Sequence, residues 1–279
     1  MNGKMAALEI GGKTFRSRLM FGTGRFPSPA VLQDALTASE AEIITFAVRR
    51  MDLEAVEDDS IMQHIIDRPL QFLPNTSGAR NAEEAVRIAQ LSRSAGLGDW
   101  VKVEISAHPR TLLPDPVETL KATEMLVQSD FVVLPYTTDD PMLCRRLEEA
   151  GAAAVMPGGS PIGTGLGILN PYNIGLIIED AKVPIIVDAG IGSPRDALAA
   201  MELGAAGVLI NTAIAKAQDP EAMARAFRLA IEAGVLARSA GRIERKRYAS
   251  ASSSLEGSLF DQGREGDIVF MQERTGLKL

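Results

Sequence analysis

Trp100-Val101-Lys102-Val103-Glu104-Ile105-Ser106 is the stretch on which the fold turns. Val101, Val103 and Ile105 alternate with Lys102, Glu104 and Ser106, so a strand's period of two puts both charges on one face. If helices cover the apolar face, the charged face points into the centre of a closed sheet. Charged side chains are rarely buried without a partner or a task. A lysine held there can shed its proton near neutral pH and attack a carbonyl carbon. The plainer alternative is a lysine at the sheet's edge with its ammonium in solvent, and the alternation with Val101 and Val103 argues against it. Glu104, two residues on, shares the lysine's face; it can hold the ammonium as an ion pair or move protons.

The remainder of the chain supplies a sheet that can close. Strand patterns occupy residues 18–22, 42–47, 71–75, 101–106, 131–136, 153–157, 185–189 and 208–211, with helical patterns between them. That rhythm is the one expected of successive β-α units. Runs such as Phe131-Val132-Val133-Leu134 and Ile185-Ile186-Val187 are continuously apolar, which favours a parallel sheet covered by helices. Eight such units predict a (β/α)8 TIM barrel, with an open doubly wound sheet as the alternative. Asn81, Asp115-Pro116 and Ser193-Pro194 read as helix starts, and Gly204 as a helix end. Residues 8–14 read as a short N-terminal hairpin that covers the barrel's bottom. The catalytic barrel is expected over residues 1–249, followed by a flexible C-terminal tail, 250–279, that begins serine-rich and then loses all periodicity.

Composition narrows the function. With 46% hydrophobic residues in 279, the chain can bury a large core. A formal net charge of −7 argues against a nucleic-acid or anionic-membrane partner. No segment resembles a signal peptide, and none approaches the roughly 18 apolar residues of a membrane span. One cysteine, Cys144, permits no internal disulfide and fits a reducing cytoplasm. It reads as a buried helical thiol rather than a nucleophile. His64 and His108 are far apart and lack ligand spacing, so no metal site is expected.

In a β/α barrel the working residues lie where strands end and in the loops that follow. Asn75-Thr76, Tyr136-Thr137, Asp188 and Asn211-Thr212 all fall there, on the rim that Lys102 and Glu104 approach. After Asp188, Ala189-Gly190-Ile191-Gly192 leaves backbone N–H groups open to a ligand, and the helix opening at Pro194 offers its positive end. With Asn211-Thr212 in the next loop, this makes a phosphate cradle of the kind barrels share between their last two loops. The glycine-rich segment 158–167 does not follow a first strand, so it reads as a lid or wall rather than a dinucleotide site. The basic group Arg242, Arg245, Lys246 and Arg247 reads as the solvated end of the last helix, or as a patch for an acidic partner.

Taken together these residues resemble bacterial thiazole synthase, the ThiG family, which makes the thiazole phosphate moiety of thiamine. The resemblance runs from about Leu8 to Ser254. It is carried by Phe21-Gly22-Thr23-Gly24, Leu73-Pro74-Asn75-Thr76, the Trp100–Glu104 run, Leu112-Leu113-Pro114-Asp115-Pro116, Val133-Leu134-Pro135-Tyr136, Pro161-Ile162-Gly163-Thr164-Gly165, Leu169-Asn170-Pro171-Tyr172-Asn173, Val187-Asp188-Ala189-Gly190-Ile191-Gly192 and Asn211-Thr212-Ala213. It implies that Lys102 forms a Schiff base with 1-deoxy-D-xylulose 5-phosphate, and that Glu104 and Asp188 are the acid/base groups. It further implies that Gly163, Ala189, Gly190, Asn211 and Thr212 contact the sugar phosphate. Sulfur would come from the thiocarboxylated C-terminus of a small ubiquitin-like sulfur-carrier protein, and the remaining atoms from dehydroglycine made by a partner enzyme. A homo-oligomer, typically a tetramer, is implied, and no metal or redox cofactor is required. Residues 257–279 extend past the family's usual end, and the acidic stretch 52–59 departs from its pattern. A class I aldolase-like Schiff-base lyase using the same lysine on another sugar phosphate is the alternative; a non-catalytic barrel is disfavoured by the intact Lys102, Glu104 and Asp188.

Overall fold

The computed structural model of the protein describes residues 7–51, 62–106, 108–250 and 252. The acidic stretch 52–59 and most of the expected tail lie outside the described residues. A hairpin, β1 (Leu8–Ile10) and β2 (Lys13–Phe15), precedes eight further strands: β3 (Leu19–Gly22), β4 (Ile43–Ala47), β5 (Gln71–Asn75), β6 (Trp100–Val103), β7 (Val132–Thr137), β8 (Met156–Pro157), β9 (Ile186–Asp188) and β10 (Gly207–Ile210). These eight are parallel, in the order β8-β7-β6-β5-β4-β3-β10-β9. The bridges Val155–Ile185 and Gly158–Asp188 join the two ends, so the sheet closes. This is the (β/α)8 TIM barrel.

The helices are α1 (Pro29–Ser39), α2 (Met62–Ile65), α3 (Ala82–Ser94), α4 (Pro116–Val127), α5 (Pro141–Glu149), α6 (Pro171–Asp180), α7 (Pro194–Leu203), α8 (Thr212–Ala215) and α9 (Pro220–Ala240). Ser28, Asp115, Asp140, Asn170 and Asp219 each accept a first-turn N–H, and each precedes the proline that opens its helix. Proline's fixed φ and missing donor cost nothing at that position, so each unit has a sharp start. No helix among the described residues is long and apolar enough to cross a membrane.

The period-two alternation sorts the strand side chains into an outward and an inward set. Val101, Val103 and Ile105 face outward and pack with Ala82, Ala85 and Ala89 of α3 and Ala122 and Leu126 of α4. The inward set forms two layers. In the lower, Met20, Ile43, Leu73, Trp100, Leu134, Met156, Ile186 and Leu209 come one from each barrel strand, and Leu8, Ile10 and Phe15 of the hairpin close them from beneath. Phe15 meets Trp100 edge to face, with ring centroids 5.9 Å apart. Two residues further along each strand, the same face presents Gly22, Thr45, Asn75, Lys102, Tyr136, Gly158, Asp188 and Asn211. The barrel is therefore plugged below and polar above.

Most strand boundaries shift from the sequence reading, the strand expected over 153–157 beginning only at Met156, and two departures have a local cause. The strand expected over 101–106 ends at Val103, because Thr76 takes over the backbone of Glu104: its Oγ1 accepts from Glu104 N at 2.9 Å and donates to Glu104 O at 3.1 Å. Helix α9 stops at Ala240, where Gly241 adopts φ 78°, and the chain divides into two units after Gly241. Arg242, Arg245, Lys246 and Arg247 thus follow the last helix instead of forming its solvated end. Residues 242–250 are exposed and form neither helix nor strand.

Candidate active site

Lys102 stands in the upper layer of the barrel interior with only 6% of its side chain exposed. Its Nζ lies 2.5 Å from Asp188 Oδ2 and 3.7 Å from Glu104 Oε2. Register explains the meeting: β6 carries Lys102, and Asp188 ends β9 three strands away across the closed ring. The Tyr136 ring is 5.4 Å from the same nitrogen. Glu104, just past the end of β6, is fixed by its two bonds to Thr76 and keeps 13% of its side chain open.

The electrostatics bear on the resting charge of the lysine. Burial works to neutralise Lys102, but Asp188 and then Glu104 outweigh it, so the lysine titrates above its ordinary range and rests as an ammonium. Asp188 is itself raised, chiefly by burial and against the pull of Lys102. The group nearest the ammonium is thus a carboxylate with more than ordinary proton affinity. Burial, reinforced by Asp188 and Glu104, also pushes the Tyr136 phenol up, so it stays protonated.

Above these residues opens a cavity of about 1130 Å³, into which Lys102, Glu104, Gly163, Asp188, Ala189, Gly190, Asn211 and Thr212 all face. Ala189 holds a left-handed φ of 68°, a strained conformation for a residue with a Cβ. A side chain at Gly190 would strike Ser160 Oγ and the Ser160 backbone, so the loops after β8 and β9 interlock only with glycine there. In the upper layer, a Cβ at Gly22 would lie 2.5 Å from the Cβ of Asn211, so a glycine makes room for the amide. Asn211 Oδ1 is buried and has no hydrogen-bond partner among the described residues, which leaves an acceptor waiting in the wall. The segment 158–167 forms a wall of the cavity through Ile162, Gly163, Thr164 and Gly165.

The loop that leads into α7 has a carboxylate of its own. Asp196 accepts from Gly192 N at 3.0 Å, Ser193 N at 2.9 Å and Ser193 Oγ at 3.2 Å. Thr45, which also lines the cavity, was not singled out from the sequence. The detectable signal was its place two residues beyond Ile43 of the plug. Cys144 is buried in α5, and burial, with Asp140 and Asp139 nearby, pushes its thiol up to about 12. Exposed His108 sits in a turn, where its Nδ1 accepts from Thr111 N at 3.3 Å.

Comparison with known proteins rests on this geometry. The profile of the thiazole biosynthesis protein ThiG family matches residues 9–254. The chain belongs to the ThiG family. The thiazole synthase of Halalkalibacterium halodurans is 66% identical to this ThiG-family chain over 249 residues, which are 89% of it and 96% of the relative. That of Shouchella clausii is 65% identical over 253 residues, 91% and 96% of the two chains. Among solved structures, a chain of the Amycolatopsis orientalis BexX/CysO complex superposes with a TM-score of 0.76 at 32% identity, covering 86% of this chain and 98% of that one. The ThiG-family chain is an enzyme of thiamine biosynthesis with thiazole synthase activity. The family match decides for thiazole synthesis over the aldolase-like alternative.

Proposed function

We propose that the enzyme builds thiazole phosphate on an imine between Lys102 and 1-deoxy-D-xylulose 5-phosphate. The observation that carries the reading is the buried Lys102 held 2.5 Å from Asp188 on the floor of the cavity. Asp188 accepts a proton from the ammonium, which leaves a neutral amine without changing the net charge of the buried pair. The amine adds to the ketone carbon; the proton held by Asp188 then leaves with the hydroxyl as water, and the imine remains. The imine acidifies the adjacent C–H, and Glu104, set 3.7 Å from the nitrogen and nearer solvent, removes and returns protons as the carbonyl moves along the chain. The N–H groups of Gly163 and Gly190, with Thr212, hold the phosphate, and Ala189 sets the turn that aims them. Asn211 Oδ1 accepts from a sugar hydroxyl.

The new carbonyl takes sulfur from the thiocarboxylated C-terminus of a small ubiquitin-like carrier, and dehydroglycine from a partner enzyme completes the ring. Support for a protein partner comes from the family resemblance and from the related chain found with CysO. The cavity opens to solvent between glycine-rich loops, which suits an extended peptide tail. We further propose a cytoplasmic homotetramer in which residues 1–249 form the catalytic barrel and 250–279 a tail.

Borohydride reduction in the presence of 1-deoxy-D-xylulose 5-phosphate, followed by peptide mass spectrometry, is expected to fix the sugar phosphate on Lys102. Lys102→Ala is expected to lose both the adduct and thiazole formation by about 1000-fold or more while remaining folded. An adduct at another residue, or none, would overturn the imine.

A further inference from the structure

Tyr136 is 1% exposed, yet no group among the described residues hydrogen-bonds its hydroxyl. A tyrosine this buried usually finds a partner for its hydroxyl, yet Tyr136 Oη is not among the fully enclosed unpartnered atoms of the described residues, so the oxygen itself stays accessible. The position is an inward one: Tyr136 stands two residues beyond Leu134, which pairs with Lys102 across β6 and β7. Its ring lies 5.4 Å from Lys102 Nζ. On its other side β8 separates it from the strand of Asp188, and in this layer β8 contributes Gly158, bridged to Asp188. A Cβ at Gly158 would lie 3.5 Å from Tyr136 Cε2 and 3.6 Å from its Oη, ordinary contact that would cover the hydroxyl edge. Glycine keeps that edge reachable from the side of Asp188.

We propose that Tyr136 is a further catalytic residue, whose hydroxyl donates a hydrogen bond to an oxygen of the Lys102-bound substrate, on the carbon bonded to the nitrogen or the one next to it. The assignment rests on the imine reading above. Lys102, Glu104 and Asp188 are the titratable groups around the phenol, and the two carboxylates disfavour a phenolate beside them. Tyr136 therefore orients and polarises without surrendering its proton, while Asp188 and Glu104 carry protons between atoms. The division is chemically sensible: a donor that cannot ionise stabilises oxygen charge as it develops and does not quench the carboxylate base.

The test uses the full chain with Tyr136→Phe and, separately, Gly158→Ala. Wild type, reduced with borohydride in 1-deoxy-D-xylulose 5-phosphate, should carry the adduct on Lys102. Tyr136→Phe should lower kcat for thiazole formation about 10- to 100-fold, leave KM for the sugar phosphate within about 3-fold, and leave the melting temperature unchanged. Gly158→Ala, which keeps the phenol but covers its edge, should also lower kcat with an unchanged melting temperature. Wild-type turnover in Tyr136→Phe, or a loss that tracks a lowered melting temperature in both variants, overturns the role of Tyr136 while the imine stands. Absence of the wild-type adduct overturns the imine reading and this assignment with it.

Discussion

The lower and upper inward layers of the barrel are made by the same eight strands two residues apart, and they are opposite in character. The lower holds Met, Ile, Leu and Trp side chains sealed by the hairpin. The upper holds a lysine, an aspartate, a tyrosine, two amides, a threonine and two glycines. The lower layer buries apolar surface and stabilises the barrel. The upper layer does the reverse: an ion triad in a low-dielectric interior costs desolvation that its attraction only partly offsets. A rigid plug beneath lets strained and charged groups stand above it without collapse of the site.

Substitutions can break this division in order of effect. Asp188→Asn removes the proton acceptor of Lys102, and thiazole formation should fall about 100- to 1000-fold in steady-state assays; a loss under 10-fold would move the acceptor role elsewhere. Ile186→Ala, two residues earlier on the same strand, should cost about 2–5 kcal/mol in urea unfolding while the folded fraction keeps its kcat. Loss of kcat without loss of stability there would mean the layers are not separate. Thr76→Val removes both bonds that fix the backbone of Glu104 and should lower kcat roughly 10-fold and stability by about 1–3 kcal/mol. Its effect on kcat should vanish in a Glu104→Gln background.

The smallest effect is a pH dependence. Because the folded state raises Lys102, its pairing contributes stability that is in place at neutral pH and is lost as the pH rises through the folded value. Asp188, also raised, runs in the same direction in a more acidic window: its contribution is in place below its unfolded value and is lost as the pH rises through its folded value. Lys102→Met should therefore be less stable than wild type at pH 7. That gap should narrow at alkaline pH, where wild type loses its ammonium, and at acidic pH, where Asp188 is neutral in both. A gap constant with pH in urea titrations would show that the triad is not coupled as described.

Much of this was legible along the chain. The alternation from Val101 to Ser106 announces the inward lysine, and the capping residue before each helix-opening proline announces the β-α rhythm, because both are local: period and φ are properties of neighbours. The glycines around 163 and 190 read as loop positions, since backbone freedom is written in the residue itself, and both line the cavity. The bonds of Asp196 to Gly192 and Ser193 are not legible in this way, because Asp196 lies one turn inside the helix and only the folded turn carries its carboxylate back onto them. Thr76 reads as an ordinary strand end until β5 and β6 are side by side.

The sequence by itself determined the number of units, the direction Lys102 faces, and the chemistry available on the rim. Tertiary structure alone decided the charge of the lysine. Asp188 is 86 residues away in the chain, and closure of the ring through Gly158 and Val155 is what sets it against Nζ. A pKa depends on the inverse distance to the nearest charge in a low dielectric, and that distance exists only after the eight strands have closed.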